Sequence, residues 1–163
     1  MKILILGSTG MLGHMVKQYF MENNYEVVCT TRNPDDLNYF DVMENIKGIE
    51  NIINNNKPDV IINCIGILNE DAEENHDKAV LVNSFLPHYL DRLSVTNNFK
   101  LVHVSTDCVF DGEKGEYTEE SFKDAKSFYG KSKALGEIAN NRNVTLRTSI
   151  VGPDTNPRGI RTI

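Results

Sequence analysis

The sequence is short of cysteine, and what it has is scattered. Cys29, Cys64 and Cys108 are far apart and odd in number, no CxxC pair occurs, and His14, His76, His88 and His103 fall singly. A zinc site or a disulfide framework is therefore not expected, and no metal is assigned. Three reduced thiols suit a cytoplasmic protein. Long apolar runs are also missing: none approaches the roughly 20 residues of a membrane span. The run after Lys2 is too short for a signal peptide. Without such a signal, the glycosylation-like triplet Asn143-Val144-Thr145 carries no weight. Basic clusters are lacking as well. The net charge is -6 with acids and bases interspersed, so neither nucleic acid nor a membrane surface is an expected partner. No internal repeat and no low-complexity segment is present.

What remains is an ordinary globular composition, 163 residues with 40% hydrophobic and 25% charged. That length suits one domain with a real core. Ile3-Leu4-Ile5-Leu6 is a continuous apolar run, as in a strand buried on both faces. After a glycine stretch, Met11, Leu12, Met15, Val16, Tyr19 and Phe20 recur on one helical face, and Asn23-Asn24 closes that helix. Tyr25 to Thr30 reads as a second strand. Asp41 can cap a helix with the face Val42, Ile46, Ile49 and Ile53, which Pro58 ends. Val60-Ile61-Ile62 is a third strand. A long helix follows, with Val82, Phe85, Leu86, Tyr89, Leu90 and Leu93 on one side and a kink expected at Pro87. Leu101 to Val104 is a fourth strand, 107–126 is mostly loop, Tyr129 to Asn140 is a helix and Val144 to Arg147 a fifth strand. Strands alternating with helices give an α/β fold: a doubly wound parallel sheet of the Rossmann type. Residues 1–152 are expected to form this nucleotide-binding domain. Gly152-Pro153 breaks the chain, and 153–163 reads as the opening of a further, substrate-binding part.

The stretch Gly7-Ser8-Thr9-Gly10-Met11-Leu12-Gly13 lies between the first strand and the first helix. Glycine there lets the backbone approach a pyrophosphate, and the helix N-terminus offers free N–H groups and partial positive charge. The spacing is GxxGxxG, not the GxGxxG of other dinucleotide folds. An acid at the end of the second strand would bind a ribose 2′-hydroxyl and favour NAD. Thr30-Thr31-Arg32-Asn33 stands there instead. Arg32 suits a 2′-phosphate, so NADP is the expected cofactor, with NAD as the alternative. Asp41 and Val42 are candidate neighbours of the adenine, Asp41 doubling as a helix cap.

Tyr129 and Lys133 are four apart and share a helix face. A phenol titrates at about 10, too high for proton transfer at neutral pH. A neighbouring ammonium is expected to bring it down, and the same lysine can hydrogen-bond the nicotinamide ribose. Thr106 falls just past the fourth strand, where doubly wound folds place ligands. Its hydroxyl can orient a substrate carbonyl or satisfy a turn. Asn83, inside the long helix, has a structural and a functional reading of equal standing.

Three runs carry a resemblance: Gly7 to Gly13; Val104-Ser105-Thr106-Asp107-Cys108-Val109-Phe110-Asp111-Gly112; and Tyr129-Gly130-Lys131-Ser132-Lys133-Ala134-Leu135-Gly136-Glu137. With them the chain resembles the extended short-chain dehydrogenase/reductases and, within these, the dTDP-4-dehydrorhamnose reductase family. Asn63-Cys64-Ile65-Gly66, Val82-Asn83 and Leu146-Arg147-Thr148 also match. The resemblance implies a catalytic triad of Thr106, Tyr129 and Lys133. It further implies a cofactor site on Gly7, Thr9, Gly10, Met11, Leu12, Gly13, Arg32, Asp41, Val42, Cys64, Ile65, Gly66, Asn83, Tyr129 and Lys133. The implied reaction is hydride transfer from NADPH to the C4 carbonyl of a nucleotide-linked 4-keto-6-deoxysugar, for cell-surface polysaccharide, and a homodimer is compatible with it. Two departures stand out. Cys108 occupies a position where the family usually has Tyr, and family members continue past position 163 into a smaller domain that grips the nucleotide-sugar. Two rivals stay open. A nucleotide-sugar dehydratase or epimerase would usually carry Thr-Asp-Glu where this chain has Thr106-Asp107-Cys108. A non-catalytic regulatory protein, like the regulatory subunit of methionine adenosyltransferase, is similar to the same reductases. If Arg32 reads the 2′-phosphate, Arg32→Ala weakens NADPH binding much more than NADH binding in a fluorescence titration; equal loss for both refutes the assignment.

Overall fold

The computed structural model describes residues 1–150. The expected boundary at Gly152-Pro153 and the segment 153–163 lie outside them. The strands are β1 (Lys2–Leu6), β2 (Glu26–Cys29), β3 (Val60–Asn63), β4 (Lys100–Thr106) and β5 (Val144–Thr148). They form one parallel sheet in the order β2-β1-β3-β4-β5. The expected parallel α/β sheet is thus present. Its order reverses between β1 and β3, so the loops after these strands diverge and leave a crevice at their C-terminal ends.

The central strand explains its own sequence. Ile3, Leu4, Ile5 and Leu6 are all at most 1% exposed. Leu4 and Leu6 face one core, together with Ile53, Leu86 and Leu90; Ile3 and Ile5 face the other, with Val16 and Phe20. Burial on both sides requires an unbroken apolar run. Each such side chain contributes about 2 kcal/mol of transfer free energy.

The helices are α1 (Met11–Glu22), α2 (Val42–Asn45), α3 (Gly48–Asn56), α4 (Asn69–Glu74), α5 (His76–Ala79), α6 (Leu86–Asn97) and α7 (Phe128–Leu135). Four expectations need correction. Met15 and Tyr19 of α1 are 47% and 60% exposed; the helix packs through Val16, Phe20 and Gly13 instead. The helix expected from Val42 to Ile53 is two, broken between Asn45 and Gly48, although Asp41 does cap it by accepting from the Met43 N–H at 2.8 Å. The kink expected at Pro87 takes the form of a π-helical stretch, Val80–Phe85, running into α6. Phe85 there is half exposed and stacks on Tyr89. Finally, α7 stops at Leu135 rather than Asn140. Ile138 is still buried in the core, but outside any helix, with its N–H donating to Thr145 Oγ1.

The residue just past the stop is fixed by close packing. A Cβ on Gly136 would lie 1.9 Å from the Asn83 carbonyl oxygen, backbone against backbone. Gly136→Ala is therefore expected to destabilise the chain by about 2 kcal/mol or more. Gly48→Ala meets nothing closer than 3.6 Å and, lying in a helix, is expected to be neutral or to stabilise by up to about 1 kcal/mol. Urea midpoints of the two variants decide it.

Candidate active site and cofactor cavity

The crevice is a cavity of about 810 Å³. It takes in Gly7, Thr9, Gly10, Met11 and Leu12 from the glycine turn, Arg32, Asp41 and Val42 from the region after β2, and Cys64, Ile65 and Gly66 from the loop after β3. Thr106, Tyr129 and Lys133 line it too. Two expected residues do not. Gly13 supports the turn from behind: a Cβ there would fall 2.1 Å from the Gly7 carbonyl oxygen, so α1 and the turn meet only because Gly13 has no side chain. Gly7 itself has φ +78°, open to glycine at little cost. At the N-terminus of α1, Gly10 offers no side-chain cap and the first turn holds no acid. Its leading amides and positive dipole end suit an anion.

Asn83 is a structural clamp. Its Oδ1 accepts from the Ile67 N–H and its Nδ2 donates to the Ile67 carbonyl, both at 2.9 Å, and Nδ2 also donates to Ser132 Oγ at 3.0 Å. It thereby ties the loop after β3 to α7. A second tie holds the same loop. Asn63, at the end of β3, turns its amide oxygen to the Ile65 N–H at 3.1 Å and its nitrogen to His103 Nδ1 at 3.2 Å. Burial keeps His103 neutral, pushing its pKa down to about 3.

Thr106 is the last residue of β4, not the residue after it. Its Oγ1 accepts from the Cys108 N–H at 3.2 Å, capping a 3-10 turn over Asp107–Val109. Tyr129 and Lys133 sit on α7, 8% and 4% exposed. Lys133 Nζ donates to the Val104 carbonyl at 2.6 Å, which fixes α7 against β4. Burial pushes its pKa down to about 8, with Glu137 and Cys64 acting the other way. The phenol of Tyr129 is raised, chiefly by burial, with Thr106 hydrogen bonding lowering it and Cys108 and Asp107 raising it. The expectation that Lys133 brings this phenol down is therefore corrected: Lys133 spends its hydrogen bond on backbone, and desolvation dominates at Tyr129. The charge of Lys133 is felt instead at Cys64, whose thiol burial pushes up to about 12. Gly66 is the other neighbour; a Cβ there would lie 3.9 Å from Lys133 Nζ.

Sequence reasoning passed over Phe40 and Lys78, and used Thr30 and Thr31 only as a stretch without an acid; all four line the cavity. It also passed over Glu73, which accepts from two amides at the start of α7. For Phe40 a signal exists, an aromatic just before the Asp41 cap; for Glu73 there is none.

Residues 1–157 match the family described as "RmlD substrate binding domain". The chain belongs to that family. It is 35% identical over 155 residues to dTDP-4-dehydrorhamnose reductase of Aggregatibacter actinomycetemcomitans, covering 91% of this chain and 51% of that protein. Methionine adenosyltransferase 2 subunit beta of Bos taurus is 33% identical over 144 residues, covering 85% of this chain and 42% of that protein. The crystal structure of dTDP-4-dehydrorhamnose reductase from Bacillus anthracis str. Ames in complex with NADP superposes with a TM-score of 0.78 at 26% identity. That match covers 90% of this chain and 52% of the other. The chain thus spans about half the length of the curated relatives it matches.

The lysine gives a pH test. Its folded pKa lies at about 8, below the ordinary 10.5. Between these values the unfolded chain binds more protons, so the stability owed to this group rises with pH across the window and is lost below it. The stability of wild type relative to Lys133→Met should grow by about 2 kcal/mol from pH 7.5 to pH 10 in urea titrations. A difference that stays flat would return Lys133 to its ordinary value.

Proposed function

We propose that this chain is the cofactor-binding and catalytic part of an NADPH-dependent reductase acting on the C4 keto group of a nucleotide-linked 4-keto-6-deoxysugar. The observation that carries the reading is convergence: Thr106 from β4 and Tyr129 and Lys133 from α7 reach one cavity with the glycine turn and Arg32. The relative bound to NADP and the absence of an acid in Thr30-Thr31-Arg32-Asn33 favour NADPH, with NAD as the alternative. The uncapped N-terminus of α1 suits its pyrophosphate and Arg32 its 2′-phosphate. When bound, NADPH supplies the hydride. Tyr129, kept protonated by burial, gives its Oη proton to the sugar oxygen. Thr106 Oγ1 orients that oxygen beside it. Lys133, anchored on the Val104 carbonyl, lies beside the Cys64–Gly66 loop, where it would hydrogen-bond the nicotinamide ribose if NADPH were held there. A cytoplasmic role in making cell-surface polysaccharide goes with this reading.

The match to methionine adenosyltransferase 2 subunit beta favours a second reading, a non-catalytic partner of an enzyme. It predicts cofactor binding without turnover on any sugar and a stoichiometric enzyme partner.

The test is NADPH oxidation with dTDP-4-dehydrorhamnose, comparing wild type with Tyr129→Phe and measuring NADPH binding in the same samples. Turnover is expected to fall by about a hundredfold or more in the variant, with NADPH affinity held within about threefold. Equal turnover in both overturns the assignment of Tyr129.

A further inference from the structure

Glu73 stands on α4 in an acidic stretch, Asn69–Glu74, that reads as solvated surface. Its carboxylate is nonetheless committed. Oε1 accepts from the Phe128 N–H at 2.6 Å and from the Tyr129 N–H at 3.2 Å. The next amide, Gly130 N–H, goes to Ser127 Oγ at 3.0 Å, and the first intrahelical bond runs from the Lys131 N–H to the Ser127 carbonyl at 3.1 Å. The leading amides of a helix have no partner within it. In α7 all three are satisfied, two of them by a side chain from a different element.

This cap matters because α7 has eight residues, too few to be a stable helix alone. Its course is set by what it touches. The far half is held by Lys133 on the Val104 carbonyl and by Ser84 Oγ donating to the Ser132 carbonyl at 2.7 Å. The near half rests on the α4–α5 arm. Ala72 and Ala79 form a buried cluster with Tyr129. The ring of His76 stacks on Phe128, centroids 3.8 Å apart. Glu73 is the arm's polar contact, and a negative charge there also meets the positive end of the helix.

We propose that Glu73 is a positioning residue for Tyr129: by capping the two leading amides of α7 it holds the phenol in its buried seat beside Thr106. Its meaning for catalysis rests on the reading of Tyr129 as the acid; its test does not. In the full chain without cofactor, tyrosines carrying ¹³C at Cζ are followed by NMR as pH rises, with Tyr129→Phe assigning the signal. Thr106, Asp107 and Cys108 act on this phenol, and none of them is substituted in the variants. Wild-type Tyr129 titrates above the ordinary phenol value of about 10. In Glu73→Ala the titration falls back toward that value, and amide exchange at Phe128 and Tyr129 rises about fivefold or more while Lys133 is unchanged. Glu73→Gln keeps an acceptor oxygen and stays within about twofold of wild type in exchange. Val28→Ala, on the β2 edge, destabilises the chain without moving Tyr129.

An unmoved Tyr129 in Glu73→Ala, or a glutamine variant as damaged as the alanine one, overturns the proposal. Should Glu73→Ala fail to fold, Glu73→Asp, one methylene short, makes the same comparison. NADPH binding is scored separately on the same samples. Its absence in wild type would count against the reductase reading and leave the Glu73 result standing.

Discussion

The geometry of this molecule hangs on how closely α7 is pressed against its neighbours. A Cβ on Gly130 would come within 2.2 Å of the Cys108 carbonyl oxygen, and one on Gly136 within 1.9 Å of that of Asn83. The helix and its C-cap therefore touch the 3-10 turn after β4 and the π-helical stretch through bare backbone, at two points either side of Lys133. Interiors this dense have two discrete options, fit or clash, with little between. That approach brings Lys133 Nζ to the Val104 carbonyl and Tyr129 to Thr106.

The same approach is electrostatically unfavourable, and the surroundings show the compensation. Lys133 is almost wholly buried, which disfavours its charge. Glu137, four residues on, opposes that shift, and is itself held ionised by the Arg147 fork, Nε and Nη2 each at 2.8 Å from a carboxylate oxygen, with Lys123 adding a third contact at 3.1 Å. Arg147 in turn lies over the Phe110 ring, which stacks on Tyr117. A line of contacts thus runs from the exposed loop after β4 to Glu137, whose charge acts on the buried lysine.

Much of this was legible because parallel sheets leave a loud signal. A strand buried on both faces must be apolar at every position, and Ile3 to Leu6 is. The glycine turn was legible for a related reason, since close backbone approach excludes every other side chain. The quieter features failed on physical grounds. The buried strip of α1 runs through Gly13, which has no hydropathy, so Met15 and Tyr19 seemed the better candidates. The end of α7 was hidden because Leu135 and Ile138 keep helical spacing although only Ile138 is buried. Asn83 and Glu73 act by hydrogen bonding to backbone 16 and 55 positions away, and no local pattern encodes a partner at that range. The residue types and their spacing brought Thr106, Tyr129 and Lys133 to one cavity, but not their electrostatics: the lysine expected to tune the phenol is bound to a carbonyl, a fact of packing rather than of spacing.

The parallel sheet has a consequence for how the chain comes into being. Ile3 pairs with Val60, and Val60 with Lys100. On a ribosome adding about 5–20 residues per second, the most apolar strand of the protein waits several seconds after its own synthesis for the neighbour that completes its place at the centre of the sheet. Only β2, half as far along the chain, arrives sooner. During that interval Ile3-Leu4-Ile5-Leu6 is an exposed β-prone segment with no charge within it, the kind of stretch on which nascent chains associate. The order of the sheet that opens the crevice is thus also what leaves its central strand half-partnered while the chain is being made.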